Sequence, residues 1–168
     1  MQEKNANYWI ENLNLKPHPE GGFYREIFAS GTLLNGNCLP QKISGNRPFY
    51  TSIYFLLKND DISHFHRIKS DEIWCFHAGD ALNIHIIDKN GNYLIKKLGL
   101  NTDENEFPQH LVEAGCWFGA GLKNQKGYAL VGCLVSPGFD FQDFELAKKT
   151  ELLVEYPEHK EIIEKLSC

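Results

Sequence analysis

A succession of short, closely spaced strand-like segments dominates the chain from about residue 20 to residue 136. The segments are rich in β-branched and aromatic residues, and turn sequences such as KND, KSD, AGD and DKNG separate several of them. The intervals are too short for the crossover helices that a parallel sheet needs. The pattern predicts an antiparallel sandwich or barrel of about eight strands, at GFYREIFAS, RPFYTSIYFLL, ISHFHRI, DEIWCFHA, ALNIHIID, NYLIKKLGL, QHLVEAGCWFGA and YALVGCLVS.

Helical patterns are confined to the two ends of the chain. The first 15 residues predict a short amphipathic helix, with Trp9 and Leu13 one turn apart, that ends at the prolines of KPHPEGG. After the last strand, two short helices are predicted near residues 144–153 and 158–166. Between strand and helices, the Phe-rich segment DFQDFELA is expected to cap the barrel or to form a dimer contact.

The chain shows no linker, repeat or low-complexity segment. A length of 168 residues therefore predicts one domain, residues 1–168, with a barrel core at about residues 20–145. The longest loop is predicted at residues 35–48, where it could cover one mouth of the barrel.

Composition excludes several classes of function. The net charge is -5, and no run of lysine or arginine is longer than two, so we expect no nucleic-acid partner. No apolar segment approaches the ~20 residues that span a bilayer, and the N-terminus lacks the pattern of a signal peptide. The five cysteines are widely spaced and include no C-x-x-C pair, which favours reduced thiols and a cytoplasmic location.

The stretch SHFHRIKSDEIWCFHAG contains the residues that most suggest a functional site. Residues two apart in a strand point to the same face, so His64 and His66 are expected to project together. KSD makes a tight connection to the next strand, on which Glu72 and Trp74 share a face. If the two strands are neighbours, Glu72 lies across from the histidine pair on the concave side of a barrel.

Two imidazoles and one carboxylate on a barrel wall would form a facial ligand set with open coordination positions. His64, His66 and Glu72 are therefore candidate ligands for Fe, Mn, Ni or Zn. The same pattern also fits ordinary strand histidines, and periodicity alone does not decide between the two. Without a metal, His66 could abstract or donate a proton near neutral pH, and Glu72 could orient it or act as an acid.

Arg25 follows the flexible turn EGG. If its face of the strand lines the barrel, the guanidinium would need an anionic ligand or a carboxylate partner such as Glu20 or Glu72. His18, between two prolines, is interpreted as a loop histidine.

His64-x-His66, Glu72 and Gly79 resemble the first motif of the cupin superfamily, although the spacing from His66 to Glu72 is slightly longer than the family pattern. The chain is similar over a longer stretch to the cupin 5 (DUF985) subgroup, through HPEGGFYREIF, TSIYFLL, VEAGCWFGA and ALVGCLVSPGFDFQDFELA. The resemblance implies an all-β fold, a double-stranded β-helix or jelly-roll barrel with an N-terminal helix and short C-terminal helices.

The second cupin motif departs from the family pattern. EAGCWF aligns with it, but Glu113 stands where the family has proline, and Phe118 stands where the fourth metal ligand, a histidine, is expected. Three ligands alone would hold a metal less tightly, and Phe118 would make the pocket wall apolar. Cupins that have lost ligands include metal-free sugar-nucleotide epimerases, which use acid–base chemistry, and storage proteins that catalyse nothing.

The resemblance implies a small-molecule pocket and, as the leading hypothesis, an isomerase or epimerase acting on a sugar-like or other polar metabolite. The expected catalytic residues are His66, Glu72 and Tyr54, although an ordinary structural role fits Tyr54 better. The expected substrate contacts are His64, Trp74, Arg25 and Phe118. A non-catalytic ligand-binding cupin and a metal-dependent dioxygenase are the alternatives. The resemblance also implies a homodimer formed through sheet edges. Such pairing would cover the exposed edge strands.

Overall fold

The structure is a computed structural model that describes residues 4–40 and 43–167. Within those ranges the chain forms two six-stranded β-sheets, a two-stranded hairpin and three short α-helices. The helices are α1 (Ala6–Asn12), α2 (Lys149–Glu155) and α3 (Lys160–Leu166). The strands are β1 (Lys16–Pro17), β2 (Phe23–Ala29), β3 (Leu33–Leu34), β4 (Arg47–Pro48), β5 (Thr51–Lys58), β6 (Ile62–Arg67), β7 (Asp71–Gly79), β8 (Leu82–Ile87), β9 (Tyr93–Leu98), β10 (Glu106–Phe107), β11 (Gln109–Val112), β12 (Trp117–Leu122), β13 (Tyr128–Ser136) and β14 (Glu145–Leu146).

The two large sheets form a cupin-like sandwich. The first sheet has the strand order β1-β2-β5-β13-β7-β11, and the second has the order β10-β9-β8-β12-β6-β14. Neighbouring strands within them are antiparallel except β9 and β10, which are parallel. The prediction of an all-β antiparallel sandwich with helices at its ends is confirmed.

Three apolar layers hold these elements together. Phe55 and Val131 belong to the main core between the sheets. Phe65 and Ile163 bury the outer face of the second sheet under α2 and α3. Leu56 lies under α1 on the outer face of the first sheet. Burial of apolar area of this kind, at about 25 cal/mol for each Å², is the main force that stabilises such a fold.

Two segment predictions were wrong in detail. QHLVEAGCWFGA is not one strand: a turn at residues 113–116, where Gly115 has φ +81°, sends β11 to the first sheet and β12 to the second. The helix predicted at residues 144–153 begins only at Lys149. Before it, Phe144 packs against the main core and β14 pairs with β6, so packing overrides the local helical pattern.

The segment after β13 and the described part of the long loop are tied together over one end of the sandwich. The buried guanidinium of Arg47 donates from Nε and Nη2 to Oδ2 of Asp143, both at 2.8 Å. Lys69 Nζ lies 3.2 Å from the other oxygen of the same carboxylate. The backbone N–H of Gly138 donates to the carbonyl oxygen of Pro48 at 2.8 Å. The Phe-rich segment is therefore a cap held in place by these contacts, which is one of the two roles expected for it.

An exposed apolar row crosses the outer face of the first sheet. Phe28, Leu134, Ile73 and Leu111 lie in register on β2, β13, β7 and β11, with Ser52 of β5 between the first two. Phe28, Ile73 and Leu111 are exposed. Because β11 is the edge strand, the row reaches the rim of the sheet.

The described cysteines, Cys38, Cys75, Cys116 and Cys133, are free thiols, and Cys168 lies outside the described residues. No helix in residues 4–40 or 43–167 is long and apolar enough to cross a membrane.

Candidate functional site

A cavity of about 270 Å³ lies between the two sheets, under the Phe-rich cap. The first sheet contributes most of its wall, and the second sheet contributes His66. The cap contributes Phe141 and Phe144, and Phe139 lies directly before the cap. Its lining residues are Lys16, His18, Glu20, Tyr24, Glu26, Thr51, Ile53, Phe55, His66, Ile68, Glu72, Cys133, Val135, Phe139, Phe141 and Phe144.

The loop between β1 and β2 places a carboxyl group at the base of this cavity. Gly21 has φ +109°, and any side chain there would overlap the carbonyl oxygen of Ile62. Glycine therefore lets the loop lie directly on β6, where the N–H of His64 donates to the carbonyl oxygen of Glu20 at 2.7 Å. The side chain of Glu20 then extends inward and is buried.

Glu20 contacts three polar side chains. Its Oε1 accepts a hydrogen bond from Oγ of Ser63 at 2.9 Å. Its Oε2 lies 3.1 Å from Nε2 of His66 and 3.5 Å from Nδ1 of His18. The Nδ1 atom of His18 also accepts from the backbone N–H of Glu20 at 3.3 Å. The carboxyl group is thus held between two imidazole nitrogens.

The hydrogen bonds indicate where the shared proton lies. The carbonyl oxygen of His64 can only accept, so Nδ1 of His66, which is 2.7 Å away, carries a proton. In a neutral ring, Nε2 of His66 is then an acceptor, and the proton toward Glu20 belongs to the carboxyl group.

Burial favours this neutral arrangement. It lowers the pKa of His66 to about 3. Burial also raises the pKa of Glu20 well above its usual value, and the charge of Glu72 raises it further. Since both changes oppose ionisation, Glu20 is a carboxylic acid that donates to a neutral imidazole.

Glu72 is a second buried carboxyl group on the cavity wall. Burial raises its pKa to about 7, and the neighbouring thiol of Cys133 and indole of Trp74 offset part of that effect. The thiol itself stays protonated, because burial raises the pKa of Cys133 well above its usual value. Two carboxyl groups in one cavity therefore differ in acidity, with Glu72 the one that ionises near neutral pH.

A β-bulge separates His64 from His66. In the pairing of β6 with β12, His66 lies opposite Phe118 and Ser63 lies opposite Ala120, so His64 and Phe65 share the position opposite Gly119. A Cβ at Gly119 would lie 2.8 Å from the carbonyl oxygen of Ser63, so the close approach requires glycine. The expectation that both histidines share a face was wrong for this reason. His64 does not line the cavity, and its buried Nδ1 has no hydrogen-bond partner among the described residues.

Trp74 and Phe118 lie in the core behind the cavity wall. The Trp74 ring packs edge-on against Phe55 and Phe118, with centroid distances of 5.8 and 6.3 Å. The Phe118 ring lies 4.1 Å from the ring of His66. Phe118 therefore makes the surroundings of His66 apolar, as the sequence suggested, but neither ring is among the residues that line the cavity.

Tyr54 and Arg25 lie on the outer face of the first sheet. Their Cα atoms are paired partners on β5 and β2, and both side chains point away from the cavity-lining Ile53 and Phe55. Arg25 is exposed and donates from Nη1 to the carbonyl oxygen of Leu13 at 3.0 Å. A proton-donor role for Tyr54 and a substrate contact by Arg25 do not fit these placements.

The expected metal ligands do not form a metal centre. His66 and Glu72 line the cavity, whereas the bulge removes His64 from it. In residues 4–40 and 43–167, no group of three or more His, Cys, Asp or Glu side chains is arranged to hold a metal ion. The donor set of this chain therefore does not fit the metal of the cupin motif, and no chemical step is assigned to one.

Sequence reasoning missed Glu20 and His18 as site residues. Both lie in the loop between β1 and β2, where strand alternation gives no direction for a side chain. The available signal was local: two ionisable residues within HPEGG, a block that also carries the family resemblance.

Comparisons with known proteins agree with the architecture. Residues 7–147 match the family model Cupin_5, described as Cupin superfamily (DUF985). The chain is similar to protein SO0799 from Shewanella oneidensis, with 46% identity, 99% of each chain covered and a TM-score of 0.88. It is also similar to a hypothetical protein from Leishmania major, with 37% identity, coverage of 97% of this chain and 98% of that one, and a TM-score of 0.87.

A more distant likeness concerns the fold alone. Oxalate decarboxylase from Bacillus subtilis is 18% identical, with a TM-score of 0.55 over 89% of this chain and 36% of the decarboxylase. No curated protein matches the chain. The family match and the two relatives of the same architecture show that the chain belongs to the DUF985 family of the cupin superfamily.

Proposed function

We propose that the protein is an isomerase- or epimerase-like enzyme that moves a proton on a small polar metabolite bound in this cavity. The observation that supports it most is the 3.1 Å contact between Nε2 of His66 and Oε2 of Glu20, in a cavity that Glu72 also lines. Acid–base chemistry needs one group that is protonated and another that is free to accept a proton. The two carboxyl groups meet that need because their acidities differ.

Glu72 is the base in this proposal. With a pKa of about 7, it is ionised in a large share of the molecules at neutral pH. Its carboxylate removes a proton from a substrate carbon next to a carbonyl group. The electron pair of the broken C–H bond forms the C=C bond of an enediol, while the carbonyl oxygen takes a proton.

Glu20 supplies that proton, and His66 positions it. The carboxylic acid donates to the substrate oxygen and becomes a carboxylate beside the Nε2 atom of His66. Glu72 then returns its proton to the neighbouring carbon, and the second hydroxyl group of the enediol gives its proton to Glu20. The carbonyl group has moved by one carbon, and both carboxyl groups are restored.

Exchange of substrate hydrogen with solvent tests the proposal. The protein is incubated in D2O with hexoses, amino sugars, sugar nucleotides and amino acids, and deuterium at carbon is followed by NMR. We expect exchange into at least one of these compounds, lost in Glu72→Gln and Glu20→Gln. It should persist in the matched surface variant Glu113→Gln, whose side chain is 69% exposed. Exchange that survives both cavity variants would contradict the assignment.

A non-catalytic ligand-binding cupin is the second candidate. The aromatic and aliphatic side chains that make up half of the cavity lining favour it, since such surfaces bind small molecules without any reaction. A ligand that raises the melting temperature while no compound exchanges hydrogen with solvent would support binding over catalysis. The dioxygenase alternative would need a metal, and the ligand set described above does not fit one.

A further inference from the structure

The charges that line the cavity are mainly negative or neutral. Three carboxyl side chains line it, those of Glu20, Glu26 and Glu72. Its histidines are neutral near pH 7, because burial lowers the pKa of His18 to about 4 and that of His66 to about 3. Among the described lining residues, the permanent cation is Lys16, and both Lys16 and Glu26 are exposed at the rim of the cavity. A buried anion would therefore meet no cation in the interior and would be repelled by Glu72 when that group is ionised.

The outer part of the cavity is aromatic. The rings of Phe139, Phe141 and Phe144 are 5.0 to 6.3 Å apart and cross at 70° to 79°. Phe141 lines the cavity and is 52% exposed, so part of its ring is free to contact a ligand. Ring faces carry negative partial charge and attract a cation within about 6 Å.

The wall already holds one ammonium group at its rim. The Nζ atom of Lys16 lies 5.5 Å from the centroid of the Tyr24 ring, which also lines the cavity. Glu26 lies on the same face of β2 as Tyr24, two residues along. Aromatic faces next to a carboxylate are the features by which proteins recognise alkylammonium groups.

We propose that the cavity binds a small molecule that carries a protonated amine or a quaternary ammonium group, with that group among the rings of the cap and near Glu26. The inference takes the cavity to be the ligand site of the proposed function and adds the charge of the ligand. The volume of about 270 Å³ limits the ligand to a small metabolite. Diphosphate-bearing compounds such as sugar nucleotides are disfavoured by the carboxylates.

Three probes of nearly equal shape test the charge of the ligand directly. Choline is the cation, 3,3-dimethylbutan-1-ol replaces its nitrogen by carbon, and 3,3-dimethylbutanoate is the anion. Binding is measured by NMR shifts of the cap rings and by calorimetry. We expect choline to bind about tenfold or more tightly than the alcohol. The butanoate should not bind. Equal or tighter binding of the alcohol or the butanoate would overturn the inference. So would a failure of choline, tetramethylammonium and ethanolamine to bind at all.

Two variants test which groups provide the selectivity. Phe141→Leu keeps an apolar side chain but removes a ring face, so the preference for choline over the alcohol should fall several-fold. Glu26→Gln should weaken choline and leave the alcohol unchanged. The matched control is Phe107→Leu, an exposed aromatic of β10 that does not line the cavity and should change neither affinity. An unchanged preference in both cavity variants would contradict the proposed recognition.

The two proposals fail in different ways. Choline binding without hydrogen exchange into any compound would leave the recognition in place and remove the catalytic proposal. Exchange into neutral or anionic compounds, with no ammonium probe bound, would support the catalytic proposal and contradict the recognition of an ammonium group.

Discussion

Replacing Glu72 with glutamine should stabilise the fold above neutral pH. Burial raises the pKa of this carboxyl group from 4.5 to about 7, which means that the native state disfavours its ionised form. Each pKa unit corresponds to about 1.4 kcal/mol, so the ionised carboxylate destabilises the native state by about 3 kcal/mol. Glutamine has nearly the same shape and no charge, so the variant avoids that effect.

The direction of the pH dependence follows from proton binding. Between pH 4.5 and about 7, the native state holds the Glu72 proton and the unfolded state has lost it. The free energy of unfolding of the wild type therefore falls as the pH rises through this window and stays lower above it. The coupling to Glu20 acts in the same direction, because the charge of Glu72 raises the pKa of Glu20.

Urea unfolding of both proteins at about pH 5 and about pH 9 measures the effect. We expect the advantage of Glu72→Gln over wild type to grow by about 3 kcal/mol between the two conditions. The comparison cancels the opposite pH dependence of the buried histidines, which both proteins share. Glu113→Gln, at an exposed position, should show no such change. If the advantage of Glu72→Gln is the same at both pH values, the carboxyl group is not buried as described.

Three further predictions concern the cap, the metal and the assembly. Arg47→Met leaves the buried Asp143 with Lys69 as its remaining cation, so it should destabilise the fold by about 3 kcal/mol or less in urea unfolding. Arg47→Met with Asp143→Leu should recover much of this loss, and an additive double variant would contradict the ion pair. The bulge removes His64 from the cavity, so we expect protein purified without a tag to keep its melting temperature on dialysis against EDTA. A stoichiometric metal whose removal lowers the melting temperature would refute this prediction. Light scattering of the wild type should give a mass twice the 19.3 kDa of one chain. Leu111→Glu on edge strand β11 should lower the measured mass toward that of one chain. A monomeric wild type would contradict the expected homodimer.

The strands were predictable because their pattern and their packing agree. DEIWCFHA starts with side chains that alternate between an exposed and a buried position, and it forms β7; ISHFHRI forms β6, where a bulge interrupts the alternation. The tail was less predictable. A helical pattern starting at residue 144 was overridden by pairing of β14 with β6, a contact between segments about 80 residues apart.

The candidate site could be predicted only in part. His66 and Glu72 point inward as alternation requires, and Phe118 packs on His66. A one-residue bulge, which the composition of β6 does not reveal, reversed the prediction for His64. Glu20 was missed because its direction depends on a loop held against β6 at Gly21, and no periodicity describes a loop.

The central claim is that Glu20 holds a proton against an uncharged His66, and the protonation state of that imidazole tests it most directly. Nitrogen-15 NMR distinguishes the two ring nitrogens, and the spectrum of His66→Gln assigns the signals. From about pH 5 to about pH 8, we expect a neutral ring with hydrogen on Nδ1 and an acceptor at Nε2. A ring protonated at both nitrogens in that range, or one with hydrogen on Nε2 alone, would contradict the account.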